Sequence, residues 1–304
     1  MERFDINILG CGSATPTLQH HPSSQVINVR EKLFMIDCGE GTQLQFRKSR
    51  LRFGRLNRIF ISHLHGDHCF GIIGLISTLA LLGRTGDMYI HAHADLENIL
   101  KPLINYFCKD NPFNVIFAPF DPTLNEVIYE DRSIKVSTIP LIHRVPCAGF
   151  LFQEQETNAH LIADMIQFHN IPIKELANIK KGADFVKEDG TVIPNKMLTR
   201  PADQARSYAY CSDTAYNEKI VPIIENVDVL YHEATFGEDN IHRTIKTGHS
   251  TAKQAAQIAK LANVKKLILG HFSARYTDNT SLLEEAKSIF PNTILANEGL
   301  CEKL

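Results

Sequence analysis

Residues 61–71 read ISHLHGDHCFG. Within them His63, His65, Asp67 and His68 place four metal-ligating side chains in six positions, directly after the apolar run Ile59-Phe60-Ile61. Imidazole nitrogens and a carboxylate oxygen suit a borderline ion such as Zn2+, although an N/O donor set of this kind also accepts Mn2+ or Fe2+. Two histidines one residue apart grip one ion when the loop is tight. Gly66 lets the chain turn so that Asp67 and His68 face a second ion. A lone histidine is ordinarily a satisfied core or surface residue; four ligand types crowded behind a buried strand read as a metal loop.

Two ions need roughly six or more protein ligands, so others must lie downstream, where strand ends offer rigid mounts. His143 follows the apolar strand ending at Leu141-Ile142, Asp213 follows Tyr208–Cys211, and His271 follows Leu267–Gly270. A carboxylate at position 213 could bridge two ions. The segment His91-Ala92-His93-Ala94-Asp95 also spells HxHxD, but it lacks the final histidine, and Ala94-Asp95-Leu96 reads as a helix start. His20, His21, His160 and His169 read as ordinary surface residues.

The elements that must position these residues alternate. Strand signals cover Phe4–Leu9, and Gln25–Arg30 and Lys32–Asp37 form a hairpin. A helix follows Gly39 through about Ser49, then a buried strand at Asn57–Ser62 and an apolar helix at Ile72–Leu82. Two neighbouring strands are expected at Asn125–Glu130 and Ser133–Ile139. The C-terminal part reads as strand 207–212, helix 217–225, strand 227–232, helix 251–262, strand 265–270, helix 280–289 and strand 293–296. This is an α/β chain whose apolar strands are covered on both faces. Residues 152–206 break the rhythm: they are polar, carry the charged run Lys174–Asp189, and read as an arm inserted into a single domain spanning 1–304.

Composition sets the outer bounds. The chain has 304 residues, 44% of them hydrophobic, enough for a sizeable core, and a formal net charge of −2. That balance excludes a globally basic nucleic-acid coat but not a local basic patch. Arg47, Lys48, Arg50, Arg52, Arg55 and Arg58 form such a patch between the first helix and the metal loop. No run approaches the ~18 apolar residues of a membrane span. The N-terminus lacks the basic start and long apolar core of a signal peptide. Seven scattered cysteines without a CxxC pair imply reduced thiols and a cytoplasmic protein.

Eight pieces then carry a family resemblance: ILGCGSATP (8–16), IDCGEGTQ (36–43), ISHLHGDHCFGIIGL (61–75), His143, CSDT (211–214), HEAT (232–235), GHST (248–251) and LGHFSARY (269–276). In these the chain resembles the metallo-β-lactamase superfamily and, within it, the ribonuclease Z family of tRNA 3′-processing endonucleases. HxHxDH marks only the superfamily; DCGEGTQ, HEAT and GHST are much more specific to the ribonuclease Z branch. The resemblance implies an αββα sandwich with an inserted flexible arm, a homodimer, and two Zn2+ per subunit. It implies that His63, His65 and His143 hold one zinc, that Asp67, His68 and His271 hold the other, and that Asp213 bridges them. Asp37 would support a ligand imidazole.

The implied activity is removal of the 3′ trailer from precursor tRNA by a dizinc-bound hydroxide, leaving a tRNA 3′-hydroxyl and a trailer 5′-phosphate. Asp67 would orient the water or take its proton, and His249, oriented by Glu233, would protonate the leaving 3′-oxygen. His249 also reads as the start of a helix capped by Ser250 or Thr251. Arg47, Arg50, Arg52 and Arg275 are candidate phosphate contacts. In the arm, Lys174, Lys180 and Lys181 are further candidates, and Ile173–Leu176 stands where the family carries a Gly-Pro-rich tip. The alternatives are a small-molecule phosphodiesterase, another hydrolase on the same scaffold, or a catalytically silent RNA-binding protein.

Overall fold

The computed structural model describes residues 2–304. They divide into two compact units: residues 2–153 with 206–304, and residues 154–205. The larger unit is built on two seven-stranded sheets. In spatial order, the first contains Cys301–Lys303, Phe4–Gly10, Ser24–Val29, Lys32–Ile36, Leu56–Phe60, Met88–Ala92 and Val115–Pro119. The second contains Thr293–Leu295, Lys266–Gly270, Val229–Glu233, Ser207–Cys211, Ala148–Glu154, Ile134–Pro140 and Val127–Glu130.

Period-two alternation explains why these strands look apolar throughout. In Lys32–Ile36, Phe34 and Ile36 join the layer between the sheets, while Leu33 and Met35 join the layer under the outer helices. Between the sheets Phe34, Phe60 and Phe152 meet edge-on or tilted, with ring centroids 5.5–6.4 Å apart. The outer layer of the first sheet packs Phe46, Leu75, Ile76 and Leu96 from helices Thr42–Lys48, Ile72–Leu81 and Asp95–Phe107. Helices Ala252–Leu261 and Thr280–Lys287 cover the second sheet with Ala255, Ile258, Ala259 and Leu282. This is the αββα sandwich that the family resemblance implies.

The expected helix at 217–225 does not form. Only the single 3₁₀ turn Glu218–Ile220 appears, because Pro222 has no amide hydrogen and its ring obstructs the preceding turn. Among the elements that escaped the sequence reading are helix Ile241–Thr247, which leads into Gly248, and the strand Cys301–Lys303 beside Phe4–Gly10.

The smaller unit has two short strand pairs, His160–Leu161 with Thr199–Arg200 and Phe185–Val186 with Val192–Ile193. Helices Ala163–Phe168, Leu176–Lys180 and Asn195–Leu198 accompany them. Its own small core is Ile171, Ile179, Ile193 and Leu198.

Candidate metal centre

The loop after strand Leu56–Phe60 delivers His63, His65, Asp67 and His68 to one end of the sandwich. Asp67 and His68 lie on the one-turn helix Gly66–Cys69. His143 follows strand Ile134–Pro140, Asp213 follows Ser207–Cys211, and His271 follows Lys266–Gly270. Donor atoms of His63, His65, His143 and Asp213 lie within 4.8 Å of one another, as do those of Asp67, His68 and His271. Asp213 faces both groups. Its Oδ2 is 3.6 Å from His63 Nε2 and 3.8 Å from His143 Nε2, while its Oδ1 is 3.2 Å from His68 Nε2 and 3.1 Å from His271 Nε2.

These residues fit a pair of metal ions on the structure's own terms. His68 Nε2 and His271 Nε2 are buried and make no hydrogen bond, so a cation would supply the partner they lack. Two nitrogens on one tetrahedral Zn2+ stand ~3.3 Å apart, given bonds of ~2.0–2.1 Å. His65 Nδ1 is 2.9 Å from His63 Nε2 and 3.4 Å from His143 Nε2. Burial pushes the pKa of His63 well down and also lowers those of His65 and His143, keeping them in the neutral form that ligation needs. Burial alone would raise that of Asp213, but the imidazoles of His271, His68 and His63 hold it well below the usual carboxylate range. His68 goes the other way: burial lowers it, and Asp213, Asp37 and Asp67 together raise it well above its ordinary value.

The imidazoles are held from behind. His143 Nδ1–H donates to Gly248 O at 2.8 Å, and His271 Nδ1 meets Thr235 Oγ1 at 3.1 Å, which turns each Nε2 inward. His68 Nδ1–H donates to Asp37 Oδ2 at 2.7 Å. Asp37 is fully buried and also accepts Ser62 N–H at 2.8 Å, Ser62 O–H at 2.9 Å and Tyr210 O–H at 2.7 Å. Tyr210 comes from the second sheet, so this carboxylate ties the two sheets together. Asp37, Asp213 and His271 all adopt left-handed backbone, with φ of 54°, 56° and 57°. Non-glycine residues in such conformations store about 1–3 kcal/mol each, and they concentrate where a site dictates side-chain direction.

His249 and Glu233 sit at the edge of this cluster. The His249 ring lies 5.1 Å from that of His143 and 5.3 Å from that of His271. His249 Nδ1–H donates to Glu233 Oε1 at 2.8 Å. Glu233 is immobilised by Thr214 N–H at 2.8 Å, Ser250 N–H at 3.1 Å and Thr235 O–H at 2.6 Å. Burial alone would lower the pKa of His249, but the charge and hydrogen bond of Glu233 outweigh it and raise the value to about 9. The next helix, Ala252–Leu261, starts on a capping box at Thr251 and Gln254 and fixes the GHST turn.

The remaining sequence candidates divide. Arg47, Arg50, Arg52 and Arg275 are exposed, as are Lys180 and Lys181 in the smaller unit. Two cations of the basic run are otherwise engaged. Arg55 pairs with Glu31 at 2.8 Å, and Arg58 lies over the rings of Tyr89 and Tyr129 and donates to His91 Nε2 at 3.0 Å. His91 stacks on Phe60 at 4.6 Å, while His93 approaches Asp95 at 3.4 Å. His20 is not a surface residue: it is largely enclosed, 3.0 Å from Glu298. His160 is exposed, but the ring nitrogens of His169 are buried. The sequence reading missed Ser62, Tyr210 and the Ala14 N–H that reaches Asp67 Oδ2 at 2.8 Å. Ser62 and Tyr210 neighbour recognised motifs, whereas a backbone donor leaves no residue-type signal.

Comparison with known proteins extends this picture. Residues 4–192 match the family model described as "Anti-Pycsar protein Apyc1". That match ends before Asp213, Glu233, His249 and His271. Relatives named ribonuclease Z match from end to end: 57% identity over 304 residues with the Bacteroides fragilis protein, covering 100% of both chains. The Bacteroides thetaiotaomicron protein is 58% identical over 301 residues, 99% of this chain and 95% of its own. Among solved structures, the short form of human tRNase Z superposes with a TM-score of 0.70 at 24% identity, covering 98% of each chain. The metallo-β-lactamase-fold protein YhfI of Bacillus subtilis gives a TM-score of 0.70 at 20% identity over 100% of both chains. The chain therefore belongs to the ribonuclease Z family, metal-dependent phosphodiester-hydrolysing endoribonucleases on the metallo-β-lactamase fold.

Proposed function

We propose that this protein is a zinc-dependent endoribonuclease that removes the 3′ trailer of precursor tRNA, leaving a 3′-hydroxyl on the tRNA and a 5′-phosphate on the trailer. The observation that carries the reading is Asp213 facing two separate histidine clusters, with the His249–Glu233 pair at their edge. In this reading His63, His65 and His143 hold one ion, Asp67, His68 and His271 hold a second, and Asp213 touches both. Bound there, two divalent ions supply a water that ionises near neutral pH and positive charge for the phosphoryl oxygens.

The chain's own groups do the rest. Asp67, fixed by the Ala14 N–H, orients the attacking water and accepts its proton. Glu233 occupies Nδ1 of His249, so Nε2 is the nitrogen that hands a proton to the departing 3′-oxygen. Arg47, Arg50, Arg52 and Arg275 are assigned to the tRNA backbone, and residues 154–205 to an arm that holds tRNA outside the cleavage site. The homodimer and cytoplasmic location belong to the same proposal; unpaired cysteines, six of seven buried, support a reducing compartment.

The test is cleavage of a labelled precursor tRNA by metal-loaded protein, with and without a chelator. The expected result is chelator-sensitive cutting just after the discriminator base, with a 3′-hydroxyl on the tRNA fragment. Turnover of a small phosphodiester by protein that leaves the precursor intact would overturn the reading in favour of a small-molecule phosphodiesterase.

A further inference from the structure

A second donor cluster lies outside the centre just described. Cys11 Sγ is 3.4 Å from His20 Nδ1 and 3.9 Å from Glu298 Oε1, and His20 Nδ1 is 3.0 Å from Glu298 Oε2. One donor atom from each residue lies within 4.8 Å of the other two. Cys11 is completely buried, and the side chains of His20 and Glu298 are only 16% and 13% exposed. Around a tetrahedral Zn2+ with bonds of ~2.3 Å to sulfur and ~2.0–2.2 Å to nitrogen and oxygen, donor atoms stand ~3.3–3.6 Å apart. The observed 3.4 Å (Sγ to Nδ1), 3.9 Å (Sγ to Oε1) and 3.0 Å (Nδ1 to Oε2) lie within a few tenths of an ångström of those spacings, with the carboxylate presenting a different oxygen to each partner.

An independent observation concerns the far side of the His20 ring. Asn279 Nδ2 is 3.3 Å from His20 Nε2, while Asn279 Oδ1 is buried with no partner. Which end of an amide carries the oxygen is decided by its hydrogen bonds. Two arrangements are open: Asn279 Nδ2–H donates to a bare Nε2 while His20 Nδ1–H donates to Glu298, or the amide is turned by half a rotation and its oxygen accepts from His20 Nε2–H. A cation at the cluster selects the second, which leaves Nδ1 bare toward the sulfur and the carboxylate, as a ligand histidine backed by a carbonyl requires.

We propose that Cys11, His20 and Glu298 form a third metal site, with mixed sulfur, nitrogen and oxygen donors, for a borderline divalent ion of the Zn2+ type. The donor set has three protein ligands, which leaves one position for water. Burial and the neighbouring Glu298 charge push the Cys11 thiol up, and a divalent ion at the sulfur reverses that and takes it as the thiolate. The site is reachable: Glu298 lines a cleft of about 410 Å3 with Gln19, His21 and Lys48. Its role is that of a staple. Cys11 O accepts Phe272 N–H at 2.9 Å, next to His271, and the same loop reaches Asp67 through Ala14. Closing residues 11–20 onto Glu298 therefore fixes a loop that touches the catalytic centre.

The donor atoms make the test selective, because the proposed catalytic ligands are all nitrogen and oxygen. Full-length metal-free protein is titrated with Co2+ and followed by near-ultraviolet absorption and metal analysis. A thiolate-to-cobalt charge-transfer band is expected in the wild type and in Cys69→Ser. It should be lost in Cys11→Ser, with one bound ion fewer per chain. Glu298→Gln keeps the thiol and should weaken Co2+ binding at this site, a check should Cys11→Ser fold poorly. Wild-type protein that saturates with Co2+ and shows no thiolate band overturns the site. So does a band that disappears in Cys69→Ser and survives in Cys11→Ser. Neither outcome bears on precursor tRNA cleavage, so this site and the proposed function stand or fall separately.

Discussion

At the residue scale, His249 and Glu233 separate chemistry from metal binding. Replacing His249 by Ala removes the proposed proton donor and leaves the seven candidate ligands in place. Turnover should fall by about 10²- to 10⁴-fold with metal content unchanged; loss of an ion would make His249 a ligand instead. A second histidine makes a pH prediction away from the centre. Burial, with help from Arg58, lowers the pKa of His91 from the ordinary 6.5 to about 4. Its folded-state value is depressed, so its contribution to stability is complete above pH 6.5 and is lost as pH falls toward 4. At about 1.4 kcal/mol per pH unit between 6.5 and about 4, the loss reaches at most about 3.5 kcal/mol. Urea unfolding of wild type and His91→Gln across this range should show a steeper acid loss in the wild type; parallel curves would refute the assignment. The candidate ligands were legible because HxHxDH fixes their spacing and the strand ends of 141–143, 211–213 and 269–271 could be seen. Ser62, Tyr210 and the Ala14 amide were not, because their contacts depend on the facing sheet and on left-handed backbone at Asp37 and Ala14.

At the element scale, residues 154–205 form a compact unit with their own core of Ile171, Ile179, Ile193 and Leu198. A segment that buries its own apolar residues can be removed without opening the main core. Deleting 155–205, the unit with its whole core, and bridging the gap with a short glycine-serine linker should leave turnover of a small phosphodiester nearly intact while weakening precursor tRNA cleavage. Equal losses on both substrates would refute a tRNA-holding role. The insertion was visible in sequence because its polarity and charge run interrupted alternating apolar strands, and strand and helix positions in the body were likewise readable to within a few residues. The exceptions have physical causes. The 217–225 segment has helical periodicity, but Pro222 permits only one 3₁₀ turn. Cys301–Lys303 is too short to declare itself and becomes a strand only by pairing with Phe4–Gly10. Arg58 belonged to a run of six cations, yet its guanidinium lies between two tyrosine rings.

At the scale of the whole molecule, the centre joins the two sheets. His63, His65, Asp67 and His68 hang from the first, while His143, Asp213 and His271 hang from the second. Without ions the joint rests on contacts such as Tyr210 with Asp37 and Tyr208 with Gln25. Ions that bind only the assembled ends of both sheets stabilise the native state by mass action, by about 4 kcal/mol per site at a thousandfold excess over Kd. Thermal unfolding of zinc-loaded protein should therefore occur several degrees above that of chelated protein, and restoring the metal should restore the midpoint. Asp213 faces both clusters, one oxygen to each, so Asp213→Asn should abolish most of this increment. His65→Ala, which touches only one cluster, should retain part of it. Identical midpoints with and without metal, in protein shown by analysis to be loaded, would mean that the unfolded chain binds the ions as well as the native one does, as a purely local loop could, and that the proposed bridging role of Asp213 is wrong.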